Sequence, residues 1–268
     1  MKLVKSLCAV VVMALALAPG MFISCTGSPS SAAYAAAAKQ PSAEAAIKSA
    51  AAKHRYLVVT FYKKSDAASD SALKSVGSAK GKLSTRADFT IADVQNQANQ
   101  ALVKRYGIDK ATIPLTLVIA PNGAVTGGMN GTVDAAKITN AFASDGMASV
   151  LKVLQGGKLA LLCVQNGKTK FNSESMKAAT DFKADSRLPG AVEIVKIDPS
   201  NRGEAKFLGM CKVEPGASTA QIVMIVPPGR ILGSFDGQTT KDAMYASLQT
   251  ALKSSGCAPG AGAGCCPR

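Results

Sequence analysis

Residues 255–268 hold three cysteines among small residues, and these are the most obvious candidates for chemistry. Cys257, Cys265 and Cys266 lie in SSGCAPGAGAGCCPR, whose composition cannot build a core. Thiolates suit soft ions such as Cu(I), whereas structural zinc takes four ligands and this stretch offers three. Three interpretations stay open: a soft-metal site, an arm that reaches its own domain or a partner as a mixed disulfide, and incidental or mutually paired thiols.

Two further cysteines lie in stretches that are predicted to fold. Cys163 sits inside the apolar run LALLCVQ, which favours a buried core residue. Cys211 follows a predicted helix in FLGMCKV and is expected to be half-buried. A disulfide between these two cysteines is compatible with the pattern, and the sequence leaves it open.

The first two cysteines belong to an N-terminal export signal. Lys2 and Lys5 precede an apolar run, Leu7–Ala18, that is too short to span a bilayer as a helix and is typical of a signal peptide. The following Phe22-Ile23-Ser24-Cys25 resembles a bacterial lipobox. It predicts a signal peptide over residues 1–24 and lipidation of Cys25, and hence a membrane-anchored lipoprotein of the bacterial cell envelope. The alternative is cleavage after Ala35 at an A-x-A site, which would give a freely secreted, periplasmic protein.

Export changes the expected state of the remaining thiols. Cys8 leaves with the signal peptide and an acylated Cys25 has no free thiol, so five of the seven cysteines remain. Because five is odd, one thiol should be free or paired with another molecule in an oxidising compartment.

Other catalytic and ligand-binding patterns are missing from the sequence. His54 is the only histidine and has no nucleophile beside it, so neither catalysis nor metal binding is expected there. There is no phosphate loop, no H-E-x-x-H and no G-x-S-x-G. Tryptophan is absent and the lysines are scattered, so the net charge of +14 predicts a basic surface and no nucleic-acid partner.

The elements that would position these residues alternate between strands and helices. A Ser/Ala/Pro/Gly-rich tether over residues 25–41 is followed by a short helix over 43–53. Strands are then predicted at 56–62, 89–94, 115–120 and 124–129, and helices at 66–76, 97–106 and 133–142. Strands joined by helices should run parallel, and the hairpin at Asn122-Gly123 should return the last strand antiparallel.

The same order then recurs, which indicates an internal repeat. Strands are predicted at 159–165, 192–198, 221–226 and 230–235, and helices at 173–182, 202–210 and 240–252. Gly123 and Gly229 are 106 residues apart, as are Gly131 and Gly237. Two copies of one domain explain this spacing. We expect one domain over 42–145, a second over 146–254, a tail over 255–268, and a short link through Ser144-Asp145-Gly146.

The first copy resembles thioredoxin. The stretch FTIADVQNQANQALVKRYGIDKATIPLTLVIAPNGAVTGGMNG carries the resemblance, with Ile113-Pro114-Leu115-Thr116 opening a strand. The second copy is similar more loosely, through VEIVKIDPSNRGEAKFLG and AQIVMIVPPGRILGSFDG. The resemblance implies an α/β class with two tandem thioredoxin-like domains, each a small mixed sheet flanked by helices. It also implies a cis bond before Pro114, opposite the active-site turn.

The chemistry of that family needs C-x-x-C at the start of the first helix after the first strand, where the helix terminus lowers the pKa of a thiol. The corresponding residues here are Asp66, Ala67, Ala68 and Ser69. Either Ser65 or Asp66 can cap the helix, but a carboxylate cannot exchange disulfides. The second copy also has no C-x-x-C, and Ala220 stands in the place of Pro114.

These observations favour a binding or interaction module without a redox dithiol and without a cofactor. Its predicted contact surface is the groove between Lys64-Ser65-Asp66 and Ile113-Pro114-Leu115, which holds an extended substrate segment in the redox-active family. The expected partners are an envelope protein or peptide and, through Cys25, the membrane. The alternative is a thiol-disulfide oxidoreductase or a soft-metal-handling protein that uses Cys257, Cys265 and Cys266. A purely structural envelope module is a third hypothesis.

Overall fold

The computed structural model describes residues 42–64, 66–214 and 216–254. Within these ranges the chain forms two four-stranded mixed sheets with helices on both faces of each. The predicted α/β class with two thioredoxin-like units is therefore confirmed. No helix in these ranges is long and apolar enough to cross a membrane. Cys25, Ser65 and the three tail cysteines lie outside the described residues, so the predictions made for them stay predictions.

Domain 1 is the unit around the first sheet, from Ala43 to Asn140. Its elements are α1 (Ala43–Ala52), β1 (Tyr56–Tyr62), α2 (Ala67–Leu83), β2 (Ala87–Asp93), α3 (Gln100–Arg105), β3 (Leu115–Ile119), β4 (Val125–Asn130) and α4 (Ala135–Asn140). Short 3-10 turns at Gln97–Asn99 and Ile108–Lys110 flank α3. The strand order is β2-β1-β3-β4.

The third strand runs opposite to the predicted direction. β1 and β2 are parallel, but β3 is antiparallel to β1, with Thr116 opposite Thr60. The prediction failed because the six-residue α3 does not carry the chain across the sheet. The chain leaves β2 at Asp93, beside Tyr62, and enters β3 at Leu115, beside Phe61, so it re-enters at the end from which it departed. The segments that follow β1 and β2 and precede β3 therefore meet at one end of the sheet.

Domain 2, from Asp145 to Ser254, repeats this arrangement. Its elements are α5 (Asp145–Gln155), β5 (Leu159–Val164), α6 (Asn172–Lys183), β6 (Val192–Ile197), α7 (Ala205–Met210), β7 (Gln221–Val226), β8 (Arg230–Asp236) and α8 (Lys241–Ser254). The strand order is β6-β5-β7-β8, and each pair has the same relative direction as its counterpart in domain 1.

Each face of each sheet is covered by one pair of helices. In domain 1, α1 and α3 cover one face and α2 and α4 cover the other. In domain 2, α5 and α7 cover one face and α6 and α8 cover the other. Alternate strand residues point to opposite faces, so Val58 and Val59 enter different cores and both are fully buried.

Helix α5 was not predicted, because the sequence was interpreted as a short link through residues 144–146. Instead an eleven-residue helix begins there, with the Ser144 hydroxyl accepting a hydrogen bond from the Met147 N–H. Val150 and Leu154 lie one turn apart and are buried against the second sheet. Helix α2 also exceeds its predicted end at Val76, since Ala79 and Leu83 continue its buried stripe.

Helix α5 also contacts domain 1. Ala148 packs against Ala120 and Ala124 at the end of the β3–β4 hairpin. The Gln155 side chain forms two hydrogen bonds with the backbone of Val125, accepting from its N–H at 2.9 Å and donating to its carbonyl at 2.6 Å. One helix therefore belongs to the core of domain 2 and to the contact between the domains.

Candidate functional site

The predicted groove residues come together at one end of the domain 1 sheet. Tyr62 is paired with Asp93, and Leu115 with Phe61, so Pro114 enters the sheet next to the end of β1. Lys64 and Asp66 follow β1 at this same end. The structure thus places the two sides of the predicted groove beside each other.

Asp66 is the N-cap of α2, as its residue type predicts. Its Oδ2 accepts hydrogen bonds from the Ser69 N–H at 2.9 Å and from the Ser69 hydroxyl at 2.7 Å. The Ser69 hydroxyl, followed by its N–H, lowers the pKa of the Asp66 carboxyl. Ser69 is fully buried and its Oγ also accepts from the Lys63 N–H at 3.2 Å. The turn is therefore a closed network around an ionised carboxylate.

Lys64 has a partner that the sequence interpretation did not assign. Its Nζ lies 3.4 Å from Oδ2 of Asp93, whose side chain is 9% exposed. The other oxygen of Asp93 accepts from the Gln95 N–H at 2.9 Å. The sequence interpretation gave Asp93 no role, although its position as the last residue of a mostly buried strand was the signal for one at this sheet end. Lys63 and Lys64 are both exposed.

The opposite side of the groove is the segment before β3. The Ile113–Pro114 bond is cis, Pro114 is buried, and Ile113 and Leu115 are half-buried. The Pro114 carbonyl accepts from the Gly131 N–H at 2.9 Å, and the Thr112 carbonyl accepts from the Asn130 side chain at 2.7 Å. No described residue makes a hydrogen bond to the backbone of Ile113. Its amide and carbonyl groups are thus left for another partner.

The matching segment in domain 2 has a partner from its own chain. Ala220 precedes β7 as Pro114 precedes β3, so Thr219 stands in the place of Ile113. The Lys170 N–H donates to the Ser218 carbonyl, and the Ala220 N–H donates to the Lys170 carbonyl, both at 2.9 Å. Lys170 and Thr219 form an isolated parallel bridge.

The domain 2 loop reaches this position because it is longer. The connection from the first strand to the next helix has four residues in domain 1 (63–66) and seven in domain 2 (165–171). The longer loop is held by Asn166, whose carbonyl accepts from the Asn172 side chain at 2.7 Å and whose amide donates to Asp198 at 2.8 Å. The Asn166 amide is the main cause of the lowered pKa of Asp198, with the Ser200 hydroxyl next. The domain 2 loop is therefore an ordered, internally bonded segment.

The two described cysteines are buried and unbonded to each other. Cys163 is fully buried on the α6/α8 face of its sheet, and Cys211 is 3% exposed on the α5/α7 face. Both are free thiols, so the Cys163–Cys211 disulfide does not form and the expectation of a half-buried Cys211 is wrong. The sheet itself separates them. Burial raises the pKa of each thiol to about 11, so neither is an activated nucleophile.

Within the described ranges, no three His, Cys, Asp or Glu side chains are grouped so that they could hold a metal ion. His54 is an exposed residue in the turn after α1, at a positive φ of 53°. The described groove residues thus offer hydrogen-bonding and charged groups, and none of them is a thiol or an imidazole.

No protein-family model matches the chain, and no curated protein matches it. Solved structures that it resembles include the germline-specific thioredoxin Deadhead from Drosophila melanogaster, with 24% identity, 35% of this chain and 83% of that chain covered, and a TM-score of 0.29. The disulphide isomerase from Xylella fastidiosa Temecula1 has 18% identity, covers 41% of this chain and 85% of that chain, and gives a TM-score of 0.28.

The match to human ERp44 has 12% identity and a TM-score of 0.33. It covers 76% of this chain, and therefore parts of both domains, and 54% of that chain. These neighbours are thioredoxin-fold proteins of low similarity, and the fold assignment rests on the strand order β2-β1-β3-β4 and its repetition in the second sheet.

Proposed function

We propose that domain 1 binds an extended peptide segment along Ile113 and does not exchange disulfides with it. The observation that carries this proposal is a difference in backbone pairing between two matching positions, Ile113 in domain 1 and Thr219 in domain 2. In domain 2, Lys170 bridges Thr219 by bonding to the Ser218 carbonyl and the Ala220 N–H, whereas no described residue bridges Ile113 in this way. An unpaired N–H and C=O at the end of a sheet can accept one further strand.

The pairing in domain 2 suggests how such a peptide would lie. Lys170 runs parallel to its partner segment and bonds to the residues on either side of Thr219. In domain 1 the flanking carbonyls of Thr112 and Pro114 are already bonded, and Pro114 has no N–H. A ligand would therefore bond to Ile113 itself, with the exposed Lys63 at the rim of the groove.

The lack of disulfide exchange follows from the chemistry of the turn. An ionised Asp66 bonded to Ser69 occupies the place of the first thiol of a dithiol, and the chain contains no C-x-x-C. A carboxylate cannot form a mixed disulfide. We therefore assign this groove to binding alone.

The setting of this module is also a proposal, carried by the sequence. An export signal, lipidation at Cys25 and an envelope protein or peptide as partner agree with a tethered binding domain. The alternative function in thiol exchange or soft-metal handling stays a prediction, because Cys257, Cys265 and Cys266 lie outside the described residues. It predicts disulfide reductase activity that is lost when these three are changed to Ser.

The experiment is a selection of displayed peptides on the full chain, followed by affinity measurements on variants. Ile113→Glu places a charge in the groove, and Thr219→Glu is the matched change in domain 2. We expect selected peptides to bind wild type and Thr219→Glu equally, and to bind folded Ile113→Glu at least tenfold more weakly. Equal loss in both variants, or no enriched peptide at all, would overturn the proposal.

A further inference from the structure

Domain 2 contains an apolar cavity of about 180 Å³ between α5, α7 and the β7–β8 turn. Three of the side chains that line it carry sulfur, and these are Met147, Met210 and Cys211. The other described residues of its wall are aliphatic, aromatic or glycine. Sulfur is thus the only donor element that described side chains bring to this space.

Domain 1 has the same groove, which allows the positions to be compared. The cavity there, about 700 Å³, is lined by Arg105, Tyr106, Gly123 and Val125 of domain 1, and also by residues 152, 155 and 156 at the end of α5. The counterparts Met210, Cys211, Gly229 and Ile231 line the cavity in domain 2. The match follows from the backbone, because the bond from the Tyr106 N–H to the Leu102 carbonyl recurs from the Cys211 N–H to the Phe207 carbonyl.

The same comparison places Met147 opposite Met210. At the end of the first helix, the Arg55 N–H bonds to the Ala50 carbonyl, and in domain 2 the Lys158 N–H bonds to the Val153 carbonyl. When residues are counted back from this turn along each uninterrupted helix, Glu44 and Met147 occupy the same position.

Side chains at these two positions meet in domain 1. Arg105 Nη1 and Glu44 Oε2 lie 3.3 Å apart. In domain 2 the thioethers of Met147 and Met210 therefore take the places of this ion pair. The thiol of Cys211 takes the place of the Tyr106 side chain.

We propose that Cys211, Met147 and Met210 form a binding site for one soft monovalent cation, such as Cu(I) or Ag(I). Thiolate and thioether ligands select such ions over hard cations, which need oxygen donors. Charge supports the same choice. The thiol loses its proton as the sulfur–metal bond forms, the proton leaves to solvent, and one thiolate with one monovalent ion gives a neutral group. A neutral group suits apolar walls, whereas a divalent ion would leave an uncompensated charge there.

Entry to the site is provided by Met210. Met210 is 58% exposed, whereas the neighbouring Cys211 is 3% exposed. The flexible, polarisable methionine side chain can move to admit an ion and then complete its coordination. This inference is independent of peptide binding in domain 1, because it uses another domain and other residues.

The test uses the full chain with Cys8, Cys25, Cys257, Cys265 and Cys266 changed to Ser, which leaves Cys163 and Cys211. Cu(I) is added anaerobically in competition with bathocuproine disulfonate, and folding of each variant is checked by circular dichroism. We expect one ion per chain, loss of binding in Cys211→Ala, and affinity at least tenfold lower in Met210→Leu. Met129→Leu and Cys163→Ala are the matched controls, since both lie outside the cavity, and they should bind as the parent does.

Two results would overturn the proposal. One is no bound ion in the parent, and the other is equal affinity in Met210→Leu and Met129→Leu. Copper X-ray absorption reports the ligand atoms themselves, and changes in protein stability do not affect that result. It should show sulfur neighbours around the ion in the parent, and nitrogen or oxygen neighbours alone would contradict the assigned ligands.

Discussion

The backbone of Lys170 pairs with that of Thr219 in domain 2, and Ile113, which takes the place of Thr219 in domain 1, has no such partner among the described residues. The pairing depends on a connection that has seven residues in domain 2 and four in domain 1. The two copies share a strand order but differ in whether this groove is filled from within. That difference is the basis on which a ligand site is assigned to domain 1.

A dithiol placed in the domain 1 turn should restore disulfide chemistry. The Asp66 and Ser69 side chains are in contact at 2.7 Å, and position 66 is at the N-terminus of α2, where a thiol pKa is lowered. We expect the double change Asp66→Cys and Ser69→Cys to give measurable reduction of insulin disulfides. Asp66→Cys alone should form a mixed disulfide without turnover. The assay is run with Cys257, Cys265 and Cys266 changed to Ser, and a folded but inactive double variant would contradict the assignment of this turn.

The Asp66 cap should make stability depend on pH. The Ser69 bonds hold the pKa of Asp66 below its unfolded value of about 3.9, so the ionised cap stabilises the fold above that pH. This contribution is lost as the pH falls through the lowered folded pKa. We expect Asp66→Ala to unfold at lower urea than wild type near pH 7, and the gap to shrink towards about pH 2. If the difference in unfolding urea concentration between the two proteins is constant across this pH range, the carboxylate charge does not stabilise the fold.

The contact between Gly146 and Ile197 should tolerate no side chain. A Cβ on Gly146 would lie 2.2 Å from Ile197 Cδ1 and 2.7 Å from Glu204 Oε2. The Gly146 N–H also donates to the buried Glu204 at 2.8 Å. Gly146→Ala should therefore cost about 1–3 kcal/mol in free energy of unfolding.

Gly209→Ala is the matched control, because Gly209 lies in α7 with nothing within 4 Å of an added Cβ. That change should stabilise by about 0.5–1 kcal/mol. Urea denaturation measures both variants, and equal effects would contradict the packing described around α5.

The buried thiols should be slow to react. With the other five cysteines changed to Ser, Cys163 and Cys211 remain, and burial raises both of their pKa values to about 11. We expect neither to react quickly with Ellman's reagent in the native protein at neutral pH, and both to react in urea. A thiol that reacts quickly in the folded state would show that it is exposed. A protein without a reactive thiol in urea would show that the two cysteines are joined in a disulfide.

Much of the fold could be predicted from the sequence because its signals are local. The strands at Tyr56–Tyr62 and Gln221–Val226 agree with the structure at both ends, since apolar, largely β-branched runs identify buried strands. The cis Ile113–Pro114 bond implied by the thioredoxin resemblance is present. Residue type gave two candidates for the N-cap of α2, Ser65 and Asp66, and Asp66 is the cap.

What could not be predicted depends on contacts between distant segments. The direction of β3 is set by where the chain re-enters the sheet, which the helix pattern at residues 97–106 does not reveal. Asp93 became part of the site only because the parallel β1–β2 register places it beside Tyr62. The occupation of the domain 2 groove by Lys170 arises from loop length and folding back, and no residue type in NGKTKFN signals it.

The most direct test of peptide binding is the exchange of single backbone amides in the full chain. We predict that the Ile113 amide exchanges with deuterium rapidly in the free protein and becomes protected when a selected peptide is added. The Ala220 amide, already bonded to Lys170, should be protected in both states. An Ile113 amide whose exchange is unchanged by a bound peptide would contradict the account.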